Sequence, residues 1–291
     1  MKRRTLLAVL PALAAKPDEQ VPLLNHFYAT VDAQTYAAIE GSSFLREQFA
    51  PFEQRTTVRN DSTYSGLYLY GTNVYFEFFE ADQGERKTGD AGFALGIENS
   101  VGSDLLRAKW HKLRPSITSM ITRQLDGKAI DWFQMTSFEE TRAVSAVDGL
   151  RVFAMQYAPG FAKRWNPAGP DSILQHDILA AYCERLNLAK RRASSMMNDA
   201  DRIEISGPAA GHRVRAQQLE AAGWKVESRA DTTLCTGPNA SVLLRTTPAI
   251  IGVTAMHFTL KGQPGKPSTM RIGNSTLQIL PNRRALWTLQ P

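Results

Sequence analysis

The chain is short of the residues that staple or span. Only two cysteines, Cys183 and Cys235, occur in 291 residues, which excludes a disulfide scaffold and a four-thiolate zinc site. Both lie in apolar-patterned segments, so two readings stay open: buried free thiols, or a single bridge in an oxidising compartment. No uninterrupted apolar run of about 20 residues is present, so no stable membrane insertion is expected of the mature chain. Catalytic signatures are missing too: there is no G-x-S-x-G, no H-E-x-x-H, no G-x-G-x-x-G and no G-x-x-x-x-G-K-[ST]. Gly262 to Lys266 comes nearest to the last, but Pro267 follows the lysine where a helix would have to start, so a turn is expected.

Excess charge is also small. The net +6 comes from 34 Lys and Arg against 28 Asp and Glu, and Lys2, Arg3 and Arg4 supply half of it. The cluster Lys190, Arg191 and Arg192 follows a helix-like segment and suits a helix C-terminus, where cations meet the negative end of the dipole. No nucleic-acid-binding module accompanies it, so nucleic acid is not an expected partner. What remains is a globular composition, 43% hydrophobic and 21% charged, able to bury a sizeable core.

The first fifteen residues, MKRRTLLAVLPALAA, combine a basic start, an apolar stretch from Leu6 to Leu13, and small residues at Ala12 and Ala14. This is the pattern of an export signal, and residues 1–20 are expected to be a signal and short linker. Arg3-Arg4 before Thr5-Leu6-Leu7 looks like a loose twin-arginine signal, and a general secretory signal fits as well. Either route places the mature chain in the periplasm or outside the cell.

From Val21 a β-type run closes at Asp32, which can cap a helix carrying Tyr36 and Ile39 on one face. Ser42 and Ser43 precede a second helical piece with Phe44, Leu45 and Phe49. Strands are expected over 55–59, 64–70 and 74–80, the last two joined by Gly71-Thr72-Asn73, and again over 91–98. Residues 21–100 thus read as a βαβββ module with one extra strand. Residues 101–199 read as a helical bridging segment, with Leu106, Trp110 and Leu113 in helical spacing, one strand at 151–157, and an amphipathic helix over 171–188. Residues 200–291 repeat the early order as a second βαβββ-like module, which suggests an internal structural duplication.

Leu24-Asn25-His26-Phe27-Tyr28 at the opening of the first block, and Val74-Tyr75-Phe76-Glu77-Phe78-Phe79 at its close, resemble the vicinal oxygen chelate superfamily of glyoxalases, bleomycin-resistance proteins and dioxygenases. More closely, Phe44-Leu45-Arg46, Phe52 to Thr57, Tyr68-Leu69-Tyr70-Gly71, Met155-Gln156-Tyr157 and Ala285-Leu286-Trp287 are similar to an uncharacterised glyoxalase-like family. The resemblance implies an α+β fold of paired βαβββ modules, forming a curved mixed sheet around a cleft. It also implies metal ligands on the first and last strands of a module.

The residues themselves allow this chemistry. Period-two alternation puts Leu24, His26, Tyr28 and Thr30 on one face of the opening strand, and Tyr75, Glu77 and Phe79 on one face of the closing strand. His26, Tyr28, Tyr75 and Glu77 are therefore the candidate ligand-binding residues. A neutral imidazole at His26 and a carboxylate at Glu77 would suit one divalent metal ion such as Zn, Ni, Mn or Fe(II). A metal-free hydrogen-bonded pair in a binding cleft, or ordinary structural polar residues, would account for them as well. In the second block Glu204 is the one plausible further ligand, Arg245 stands near the expected acidic position, and His257 reads as structural. His176 and Cys183, seven apart on a helix and about 10 Å from each other, cannot share an ion. The expected function is an exported small-molecule-binding protein without an assignable reaction. The alternative is a divalent-metal-dependent lyase, isomerase or dioxygenase acting on a small polar organic substrate.

Overall fold

A computed structural model describes residues 20–82, 86–139, 149–249, 251–262 and 266–290; the expected signal lies outside the described residues. The opening run folds as β1 (Leu23–Val31). Asp32 then caps α1 (Ala33–Glu40), its carboxylate accepting from Thr35 N at 2.9 Å. Ser42 Oγ accepts from Leu45 N, and a single π-helical turn over Leu45–Phe49 buries Leu45 and Phe49. Next come β2 (Phe52–Val58), β3 (Thr63–Tyr70) and β4 (Tyr75–Glu80). Because the α1 crossover returns the chain to its starting end, β4 lies parallel to β1.

The expected helical bridge is different from its prediction. After β5 (Ala91–Gly96) the helix α2 (Ser100–Leu113) does form, but β6 (Ser116–Leu125) and β7 (Lys128–Phe138) make an antiparallel hairpin, followed by β8 (Leu150–Tyr157). Ile117, Met120 and Ile121 mimic helical spacing. Asp126-Gly127 overrides it: with φ of 50° and 76° these two residues form the type I′ turn whose twist matches a hairpin. Residues 91–157 are therefore a second βαβββ module. It shares one sheet with the first, in the order β2-β3-β4-β1-β5-β8-β7-β6, with β1 antiparallel to β5 at the seam.

Three helices, α3 (Phe161–Trp165), α4 (Gln175–Arg185) and α5 (Ala189–Ser194), lead to the second sheet. Lys190, Arg191 and Arg192 belong to α5 itself rather than to the end of the preceding helix. The second sheet contains β9 (Met197–Gly207), α6 (Ala209–Ala221) packed on it, β10 (Lys225–Ser228), β11 (Thr232–Thr236), β12 (Ser241–Thr246), β13 (Gly252–Leu260), β14 (Ser268–Ile272), β15 (Ser275–Leu280) and β16 (Arg284–Leu289). Its order, β10-β11-β12-β9-β13-β16-β15-β14, mirrors the first. The block expected to be one module thus holds two. Among the described residues the last has no crossover helix between its first two strands, and β16 runs antiparallel to β13 where β8 runs parallel to β5.

One face of each sheet meets in a shared apolar core with α1, α2 and α6. Phe78 and Trp287 lie 5.1 Å apart between ring centroids, and Phe76 and Phe258 5.3 Å, so aromatic rings from both sheets lock them together. The opposite face of the first sheet curls into a half-barrel. Its rims meet at a bridge between Arg59 and Arg123, and Phe161, Trp165, Leu179 and Tyr182 of α3 and α4 cover its hollow. Cys183 and Cys235 are both buried and unbridged, in separate clusters. No helix among the described residues is long and apolar enough to cross a membrane.

Candidate functional site

The parallel register of β1 and β4 pairs His26 with Tyr75 and Tyr28 with Glu77. All four side chains therefore stand on the hollow face in two adjacent rungs. Leu24 does not join them as expected. A bulge at Asn25 shifts the β1/β5 register between Leu24 and His26, so Leu24 turns into the shared core with Phe27, Ala29 and Val31. The His26 ring stacks on Tyr75 at 4.6 Å and meets the edge of Phe153 at 5.6 Å. His26 and Glu77 are each only 6% exposed, whereas Tyr28 is half-buried nearer the mouth.

A chain of amides fixes the state of His26. Gln175, the first residue of α4, donates through Nε2 to the backbone carbonyls of Leu24 (2.8 Å) and Asn73, which can only accept. Its Oε1 must then accept from Asn25 Nδ2 at 3.0 Å, so Asn25 Oδ1 accepts from His26 Nδ1 at 2.8 Å. The ring is thereby held as the Nδ1–H tautomer, with Nε2 bare. Burial, then Arg59 and Arg55, push its pKa down to about 3, so it is neutral at physiological pH.

Glu77 is shifted the other way. Burial outweighs the attraction of Arg55, Arg86 and Arg59 and lifts it to about 7, and burial also lifts Tyr28 to about 12. Around them the hollow is lined by hydrogen-bonding aromatics and guanidinium groups. Arg55 donates to Glu53 at 2.6 Å and to the Tyr70 hydroxyl at 2.8 Å, and lies 3.8 Å over the Tyr68 ring. Arg123 sits between Trp132 (4.5 Å) and Trp165 (4.3 Å) and donates to the Tyr182 hydroxyl at 3.2 Å.

Arg55, Arg123, Gln175 and Tyr182 were not among the expected site residues. Arg55 had a readable signal: Glu53, Arg55 and Thr57 alternate along β2 and Arg59 follows it in the same period, giving one face made wholly of hydrogen-bonding groups. Arg123 had none, because its strand reads as a helix. Gln175 and Tyr182 reach the hollow from a separate helix, which no local pattern reveals.

The donor set does not fit a resident divalent metal. His26 and Glu77 supply two donors. On β5 and β8, where the other half of a ligand set would stand, the hollow-facing positions are Gly92, Ala94, Gly96, Arg151, Phe153, Met155 and Tyr157, which offer neither a carboxylate nor an imidazole. Gly92 lies against the Tyr28 ring and Gly96 against the Gln175 amide, so any side chain at either would collide with the site. Among the described residues no three His, Cys, Asp or Glu side chains are grouped closely enough to hold one ion. Glu204 lies on the far, polar face of the second sheet. There it bonds His257 Nε2 at 2.9 Å and is flanked by Arg202 at 3.4 Å and Arg245 at 3.7 Å. His212 is buried in α6, its pKa pushed down to about 4 by burial and Arg215.

Paired βαβββ modules curled round a covered hollow define the class of fold. Residues 24–289 match the model of a family of unknown function, DUF5829, and the chain belongs to that family. No curated protein matches its sequence. Among solved structures, a hypothetical protein from Staphylococcus aureus aligns with a TM-score of 0.50 at 10% identity, covering 89% of this chain and 98% of that one. This likeness is one of fold. BphC, a halotolerant catechol dioxygenase, gives a TM-score of 0.43 at 9% identity, covering 91% of this chain and 85% of that one.

Proposed function

We propose that the chain is an exported binding protein that holds a small organic anion with a planar, unsaturated body in the hollow of the first sheet. The observation that carries this reading is Arg123. It is 5% exposed and its Nε finds no acceptor; no Asp or Glu of the described residues pairs with it. A buried guanidinium without a counter-charge is costly, by several kcal/mol, and the surrounding rings offset about 2 kcal/mol or somewhat more of that. A carboxylate delivered by a ligand would supply the missing acceptor. Trp132, Trp165, Tyr182, Tyr70 and Tyr75 offer flat faces for its body. Arg55, Arg86 and Arg59 all favour the charged form of Glu77, so the potential at this carboxylate is positive.

This reading keeps the glyoxalase-like kinship of the first module without its metal chemistry, since β5 and β8 add no imidazole or carboxylate to His26 and Glu77. Aromatic carboxylates are expected to raise the thermal midpoint of the purified protein, and their primary amides, equal in shape but neutral, are not. Arg123→Met, which keeps the stem and removes the charge, should lose the carboxylate response by about tenfold in affinity or more. Equal stabilisation by acid and amide, or an unchanged response in the variant, would refute the proposal.

Export is the second part of the proposal, supported by the basic, apolar and small-residue pattern of residues 1–15. Mass spectrometry of protein recovered from producing cells is expected to find a chain starting near Ala15. Intact Met1 in that material would show the segment is retained.

A further inference from the structure

Another cleft, with two cations in a largely apolar wall, lies where the two sheets join. Its volume is about 230 Å³, and its walls come from four places: Thr72 in the β3–β4 turn, Cys183 and Glu184 on α4, Arg192 on α5, and Lys261 just after β13. Three alanines, Ala180, Ala189 and Ala193, leave the space open. Two cations face this cleft, and no Asp or Glu of the described residues forms an ion pair with either.

The hydrogen bonding of those cations is incomplete. Arg192 reaches only the Thr72 carbonyl, at a long 3.4 Å, and its Nε is buried without any acceptor. Lys261 donates to the Arg192 carbonyl and to Ser195 Oγ at 3.3 Å, both neutral acceptors. The only carboxylate in the wall, Glu184, is taken by Asn166 Nδ2. Burial and the neighbouring Arg192 also hold the Lys261 pKa below its ordinary value, against the opposing influence of Cys183 and Asp199.

We infer that this cleft binds a phosphate group, held between Arg192 and Lys261. A dianion neutralises both cations, where a carboxylate would cancel only one. An arginine side chain and a lysine ammonium approaching from different elements suit the several acceptor oxygens of a tetrahedral group. The bound group would bridge α4, α5, the β3–β4 turn and β13, so occupancy should stiffen the junction between the sheets. The inference is independent of the proposed ligand in the first sheet.

Inorganic phosphate and phenyl phosphate are the probes, titrated into the purified protein by calorimetry and by thermal melting, with chloride at matched ionic strength as the control. Phosphate at about ten times its Kd is expected to raise the midpoint by about 3 °C over chloride. Equal affinity for both probes would assign the site to phosphate esters, and preference for the inorganic ion would assign it to free phosphate. Lys261→Met and Arg192→Met should each weaken binding by about tenfold or more, while the response of the Arg123 hollow to aromatic carboxylates stays unchanged. If either variant fails to fold, broadening of the phosphorus resonance by the unmodified protein, relieved by competing sulfate, decides the question. Identical melting in phosphate and chloride with no broadening, or full affinity in a folded Lys261→Met protein, would overturn the inference.

Discussion

Removing His26 and removing Glu77 are expected to change the pH dependence of stability in opposite directions. His26 is held neutral in the fold, with a pKa near 3 against about 6.5 unfolded, so the unfolded chain binds the extra proton between those values. Its contribution is present above pH 6.5 and is lost as the pH falls toward 3, on the order of 5 kcal/mol in all. Glu77, raised to about 7 from an ordinary value near 4.5, binds its proton more tightly when folded. Its contribution is present below pH 4.5 and is lost as the pH rises through 7, on the order of 3 kcal/mol.

Between pH 4.5 and 6.5 the two slopes oppose each other in the unmodified protein. Urea denaturation of His26→Gln across that range should therefore show stability falling with pH relative to the unmodified protein, and Glu77→Gln should show it rising. Asp199 and the other carboxylates contribute the same background to all three proteins and cancel in the comparison. Slopes of one sign in both variants would show that at least one of the two groups is not held as the hollow holds it. The size of the His26 effect also tests the amide chain. Gln175→Met would leave Asn25 free to turn, and the tautomer read from the imidazole nitrogen shifts should then no longer be purely Nδ1–H.

The extent to which this arrangement was readable in sequence follows from how local each determinant is. Strand alternation placed His26, Tyr28, Tyr75 and Glu77 on one side because period two is a property of the backbone itself. Asp32 and its helix were legible for the same reason: a cap acts within three residues. Alternation failed one residue earlier, at Asn25, where a bulge inverts the faces. Nothing in Leu24-Asn25-His26 announces it, since the bulge is held by Gln175, 150 positions away.

Residues 116–138 carry apolar spacing that suits a helix, but the Asp126-Gly127 turn, a strong hairpin signal, overrides it. With that hairpin, residues 91–157 become a module of their own, three instead of two, and the first sheet's partner strands follow. The missing helix of the last module was a further obstacle, because a module recognised by its βαβββ order is hidden when the α is gone.

Cutting Asp199 back to alanine is expected to disturb the site from the neighbouring sheet. The Asp199 carboxylate, on β9, accepts from Val74 N at 2.8 Å through one oxygen, and from Asn73 N at 3.0 Å and Asn73 Nδ2 at 2.8 Å through the other. Thr72 N adds a bond to the Asn198 carbonyl at 2.8 Å. The turn that launches β4, and with it the rungs carrying Tyr75 and Glu77, is thus held by the second sheet in addition to its own bond from Gly71 N to the Val74 carbonyl at 2.9 Å. Burial pushes Asp199 up to about 6 in spite of these donors, so at neutral pH it is ionised and accepts from all three.

Alanine leaves three donors unsatisfied at a part-buried junction, at a cost of about 4 kcal/mol. Asparagine keeps the shape but turns an NH2 group toward one set of donors, so it should lose about half as much. The functional consequence separates this strut from an ordinary stabilising contact. At a temperature where the folded Asp199→Ala protein predominates, its affinity for aromatic carboxylates should fall several-fold, because the rungs of β4 are no longer held in register with His26 and Tyr28. Loss of stability with unchanged affinity would mean that β1 and β4 hold the hollow in shape by themselves.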